Sequence, residues 1–94
     1  MNKAELIEAV AERANLKKAE AARAVEVLFD ADGVIAAALR RRDKVQVTGF
    51  GTFQAKDRPA RTGRDPRSGA TIQIKASTVP TFKAGQVLKD ALNP

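Results

Sequence analysis

Between Asp57 and Lys75 the chain carries Arg58, Arg61, Arg64, Arg67 and Lys75 but only Ile72 and Ile74 as large apolar side chains. A segment of that composition has almost nothing to bury, so it must project from whatever the rest of the chain builds. At its centre lies Thr62-Gly63-Arg64-Asp65-Pro66-Arg67-Ser68-Gly69. Asp followed by Pro, with Gly close behind, makes a turn: proline presets φ, and the Asp carboxylate bonds its local backbone. Thr71-Ile72-Gln73-Ile74-Lys75 then alternates apolar and polar, as a strand does. The segment reads as a long two-stranded ribbon. Simple disorder is the alternative, and the two overlap, because a ribbon with no core beneath it is free to move.

The flanks supply what the ribbon projects from. Asn2 and Glu5 approximate a capping box, and Leu6, Ile7, Val10, Ala11 and Ala14 follow as one apolar stripe of a helix that stops near Asn15-Leu16. A second helix opens at Lys17-Lys18, although Lys17 is a poor N-cap, and carries Ala21, Ala22, Val25, Leu28 and Phe29 at helical spacing. It resumes through Val34, Ile35, Ala38 and Leu39 to the basic end Arg40-Arg41-Arg42, which suits the helix dipole. Between these stretches, Asp30-Ala31-Asp32-Gly33 predicts a break or bulge, since an unbroken helix would carry Asp32 toward the apolar stripe. After Asp43 the period becomes alternating. Lys44–Thr48 and Thr52–Lys56 read as a hairpin around Gly49-Phe50-Gly51. Val79, Pro80 and Phe82 return the chain to the body, and a short helix around Lys83–Leu92 closes it. The expected class is α+β: two N-terminal helices, one short C-terminal helix, and a three-stranded antiparallel sheet extended into a β-ribbon arm.

Ninety-four residues make one small domain, expected over 1–94, and such a chain buries only roughly 60–70% of its unfolded surface. It has no cysteine and no histidine, hence no disulfide, thiol chemistry or Cys/His metal site, and no cofactor is expected. Oligomerisation is the remaining common route to a sufficient core. The net charge of +6 is unevenly placed: residues 1–43 hold eight basic and eight acidic side chains, residues 44–94 nine and three. That asymmetry suggests a polyanion partner. Catalysis is disfavoured without a histidine or cysteine base or nucleophile, and Glu5, Glu8 and Glu12 form a row on the solvated face of a helix. A membrane role is disfavoured because the excess cations lie on a ribbon rather than an amphipathic helix. Duplex RNA is a rival polyanion, since its phosphates would also attract the basic ribbon. With no signal peptide pattern ahead of the first helix, a cytoplasmic location is expected.

The order of elements resembles the HU/IHF family of bacterial histone-like DNA-binding proteins over nearly the whole chain. The resemblance rests on Gly49-Phe50-Gly51-Thr52-Phe53, then Arg58, Ala60-Arg61-Thr62-Gly63-Arg64, Pro66 and Gly69, supported by Met1–Ile7 and Val79–Gly85. It implies an intertwined homodimer, with pairing to a paralogue left open. Its body would be about 1–54 and 76–94, and its DNA-binding arm about 55–75. The resemblance implies double-stranded DNA as partner, bound through the minor groove in the nucleoid and bent by intercalation of Pro66, with bent, nicked or flexible duplexes preferred. Arg58, Arg61, Arg64 and Arg67 would contact phosphates or the groove floor, supported by Lys56 and Lys75, with Lys3 and Lys83 completing the set. Phe50, Phe53 and Phe82 would form core and dimer contacts. The chain departs from the family pattern at Asp65, usually Asn, and at Ser68, usually Thr. Its Val25–Val45 stretch is also about three residues longer than typical, enough to rotate a helical face by about 60°.

Overall fold

Helix α1 (Lys3–Ala14) starts where the sequence marks it: in the computed structural model, which describes residues 1–94, Asn2 Oδ1 accepts from the Glu5 N–H at 2.9 Å. Glu5 Oε1 accepts in return from the Asn2 N–H at 3.3 Å, completing the reciprocal cap. Asn15, left-handed at φ 54°, ends the helix, and the Leu16 N–H turns back to the Ala11 carbonyl at 2.9 Å. Helix α2 (Lys18–Phe29) begins at Lys17, whose side chain makes no cap bond. Glu20 compensates by accepting from the Lys17 N–H at 2.9 Å. Ala21 and Val25, one turn apart, are the buried positions of α2. Ion pairs join α1 to α2 at Lys3–Asp30 (3.1 Å) and Lys18–Glu8 (3.4 Å). Both are exposed and worth about 0–1 kcal/mol each, so apolar contact holds the pair together.

The break falls where expected. Asp30 caps α2, the Gly33 N–H donates to the Asp30 carbonyl at 2.8 Å, and α3 (Val34–Arg40) starts afresh from Gly33. Asp32 stays exposed, so the interruption keeps a carboxylate in water. The expected second helix is therefore two helices. The Arg40 guanidinium donates to the Ala31 carbonyl across the turn. These helices form one compact unit, Met1–Arg41.

The second unit, Arg42–Pro94, is built on β-structure. Strands β1 (Val45–Val47) and β2 (Gly51–Arg58) form the expected hairpin, closed by the Phe50 N–H donating to the Val47 carbonyl at 2.9 Å. After β3 (Arg61–Arg64) and β4 (Thr71–Ile74), β5 (Ser77–Ala84) returns antiparallel to β2, giving the order β1-β2-β5. Helix α4 (Gln86–Leu92) closes the chain. It starts three residues later than the sequence reading has it. Lys83 and Ala84 pair with Thr52 and Gly51, so the ladder holds their backbone extended, and Gly85 becomes the N-cap.

Phe53 and Phe82 face each other across β2 and β5 with ring centroids 4.8 Å apart, and Phe50 stands 5.8 Å from Phe82. Gly51 is what admits the Phe82 ring: a Cβ there would strike the ring and lie 2.7 Å from the Lys83 carbonyl. Gly51→Ala should therefore displace Phe82 from β2. The expected loss is about 1–3 kcal/mol, seen as a lowered Tm in thermal melts followed by circular dichroism.

Candidate nucleic-acid interface

The β2–β5 ladder runs from Gly51–Ala84 to Arg58–Ser77, and β3–β4 then pairs Arg61 with Ile74 through Arg64 with Thr71. Between the two ladders, Pro59-Ala60 faces Lys75-Ala76, so neither strand gains or loses a residue. Proline has no N–H to give a ladder, which accounts for an interruption at this point. The register continues unchanged to the tip, where the Asp65 N–H donates to the Ala70 carbonyl at 2.8 Å. From Asp57 to Asp65, eight steps of about 3.3 Å make a projection of about 26 Å.

The tip is tied by its own residues. The Gly69 N–H donates to the Asp65 carbonyl at 2.8 Å, the Arg67 N–H to Asp65 Oδ1 at 2.8 Å, and the Ala70 N–H to Ser68 Oγ at 3.2 Å. Gly69 takes φ 72°, the left-handed conformation that closes the loop. Pro66 is thus held exposed between a fixed Asp65 and a fixed Arg67. Both departures from the family pattern, Asp65 and Ser68, act here as acceptors for the loop's own amides.

Strand alternation sorts the cations by face. Lys56 and Arg58 lie on one face of β2, together with Lys83, the partner of Thr52. The other face carries Phe53, Phe82 and Asp57. In the outer ladder, Arg64 shares a wholly polar face with Thr62, Thr71 and Gln73. Arg61 lies on the opposite face, over Ile74, beside Gly63 and Ile72. Arg67 is on the tip loop, and Lys75 stands at the interruption, where it lines an open concavity with Arg58, Arg61 and Ser77. Lys56, Arg58, Arg61, Arg64, Arg67 and Lys75 are all exposed. The two carboxylates of the segment are engaged elsewhere: Asp65 by the Arg67 amide, and Asp57 by Arg42 at 3.0 Å. Neither carboxylate is therefore engaged with the cations of the ribbon strands.

Lys3 stands apart, on α1 and paired with Asp30. Two things escaped the sequence reading. Thr62, Thr71 and Gln73 share the face of Arg64, which period-2 spacing within each strand would have revealed. Arg42, read only as a helix end, braces Asp57, and no local pattern signals that. No cluster of His, Cys, Asp or Glu is placed to hold a metal ion, and no helix is long and apolar enough to cross a membrane.

Replacing Asp65 with Ala removes the acceptor for the Arg67 amide. Hydrogen exchange at that amide should quicken by about tenfold, the equivalent of one ordinary hydrogen bond, while Asp65→Asn should stay close to the parent rate.

Comparison with known proteins gives consistent results. The model of a family described as bacterial DNA-binding protein matches residues 1–93. The DNA-binding protein HU of Geobacillus stearothermophilus is 52% identical over 92 residues, covering 98% of this chain and 99% of that protein. HU-beta of Pseudomonas aeruginosa is 48% identical over 93 residues, covering 99% and 100%. Among solved structures, the Anabaena HU–DNA cocrystal structure superposes with a TM-score of 0.85 at 37% identity, covering 100% of this chain and 99% of that one.

Proposed function

The chain belongs to the bacterial DNA-binding protein family, and from that premise we propose that it is an architectural protein of duplex DNA that acts as a homodimer. One observation carries the reading: an exposed ribbon in continuous register, its cations without acidic partners, ending in a fixed and exposed proline. Residues 1–94 act as one DNA-binding domain, with the arm at about 55–75. Lys56, Arg58, Arg64 and Lys83 track phosphates from one face. Arg61, Arg67 and Lys75 reach them from the interruption and the tip, releasing counterions as they do. Lys3 contributes once phosphate competes with Asp30 for its ammonium group. Pro66 enters the minor groove and wedges open a base step. That wedge is the general mode of minor-groove architectural proteins, HU among them, and is taken from the family rather than from this chain's geometry.

Dimerisation is supported by what the single chain leaves uncovered. Its buried apolar residues are Ala21, Val25 and Ala38, with no large side chain fully buried, while Val27, Phe29, Phe50, Phe82, Val87 and Leu92 are exposed. Binding should show little sequence preference, because minor-groove readout is degenerate, and should follow deformability instead. A location on the nucleoid in the cytoplasm is part of this proposal.

Gel-shift and bending measurements on linear, nicked and four-way DNA across a salt series test the reading, with duplex RNA as competitor. Nicked and four-way DNA should bind best and RNA should compete poorly. Indifference to DNA at low salt sinks the proposal. Pro66→Ala should reduce the bend more than the affinity; an unchanged bend angle removes the wedge. Arg61→Ala should weaken binding alike on all sequences and flatten the plot of log K against log salt by about one unit for each arm engaged. Sedimentation should give twice the chain mass.

A further inference from the structure

Arg42 has a left-handed backbone, φ 65°, which a side chain with a Cβ adopts only against steric resistance. From there its Nη2 donates to Thr78 Oγ1 at 3.2 Å and lies 3.0 Å from Asp57 Oδ1. Thr78 Oγ1 donates to the same carboxylate oxygen at 3.0 Å, closing a ring of three polar groups. Asp57 and Thr78 are cross-strand partners, one rung before Arg58–Ser77 ends the ladder. Beyond that rung come the unpaired Pro59-Ala60 and Lys75-Ala76. The guanidinium thus grips both strands of the ribbon at its root, just inside the place where pairing lapses.

The grip adds little to overall stability. The Arg42 and Asp57 side chains are 53% and 71% exposed, and ion pairs so open to water are weak. The left-handed residue follows the Arg41 cap and ends α3, as Asn15 ends α1, so the helix terminus itself delivers the guanidinium to the ribbon's root. We infer that Arg42 is a positioning residue for the arm: it locks the Asp57–Thr78 rung and so limits how far the outer ribbon swings about the interruption. It also neutralises Asp57, the one carboxylate of β2, on the face opposite Lys56 and Arg58. The consequence for DNA rests on the proposed function, but the effect on the ribbon is a property of the free protein.

The test compares backbone order parameters of residues 61–64 and 71–74 in the unliganded parent protein, Arg42→Gly, Asp57→Asn and the double variant, with a thermal melt of each. Arg42→Gly should leave Tm unchanged or raise it, since glycine adopts φ 65° freely. The outer-ribbon order parameters should nevertheless fall below those of the parent protein. Asp57→Asn should produce the same fall, and the double variant no further one. On nicked DNA, Kd should change by less than about tenfold while the distribution of bend angles, read by single-pair energy transfer, broadens. Unchanged order parameters in both single variants overturn the inference. So does a fall that appears only together with a loss of Tm. Should Arg42→Gly fail to fold, Asp57→Asn decides alone. If the parent protein bends no DNA, the functional reading fails, while the order parameters of the free protein still decide for Arg42.

Discussion

The pairing of β2 with β5 is the constraint on which the second unit depends. One register, set where Phe53 meets Phe82, is carried outward to the Asp65–Ala70 closure without an inserted residue. A shift by one residue would exchange the faces, putting Lys56 and Arg58 where the phenylalanines are. The aromatic cluster therefore does more than cover surface. It fixes which cations line up together far beyond its own contacts, and Gly51 is the small residue that lets Phe82 sit where it must.

The helical unit follows a different economy. Its helices are delimited by local caps at Asn2, Glu20 and Gly33, but its buried interior is three small residues, Ala21, Val25 and Ala38. Local signals of this kind define where helices begin and end and contribute little to holding them together. Phe29 and Val34, on either side of the break between α2 and α3, remain exposed at 55% and 54%. The apolar side chains of the unit are thus mostly uncovered in the single chain, which is what motivates the proposed dimer.

Much of this was legible in the sequence because it is written in local chemistry. The Asn2 cap, the break at Asp30–Gly33, the hairpin through Gly49-Phe50-Gly51 and the Asp65-Pro66 turn each depend on residues within a few positions of one another. The start of α4 was not legible, because Lys83 and Ala84 have no strand signature of their own and are held extended by Thr52 and Gly51, more than thirty positions away. The sorting of the arginines by face was missed for a related reason. Arg58, Arg61 and Arg64 look equivalent at a spacing of three, and only the pleat separates them. Arg42 was the least legible of all, since its partners lie 15 and 36 residues along the chain.

A bare two-stranded ribbon has two open edges, each a row of amides and carbonyls on which another chain could grow a sheet. The lapse of pairing at Pro59 breaks the ribbon into short pieces, and Lys75 stands on the opposite strand at that level. Like charges on neighbouring copies would meet wherever two such ribbons tried to lie side by side. The same interruption and charge therefore also disfavour fibril-like self-stacking of the ribbon.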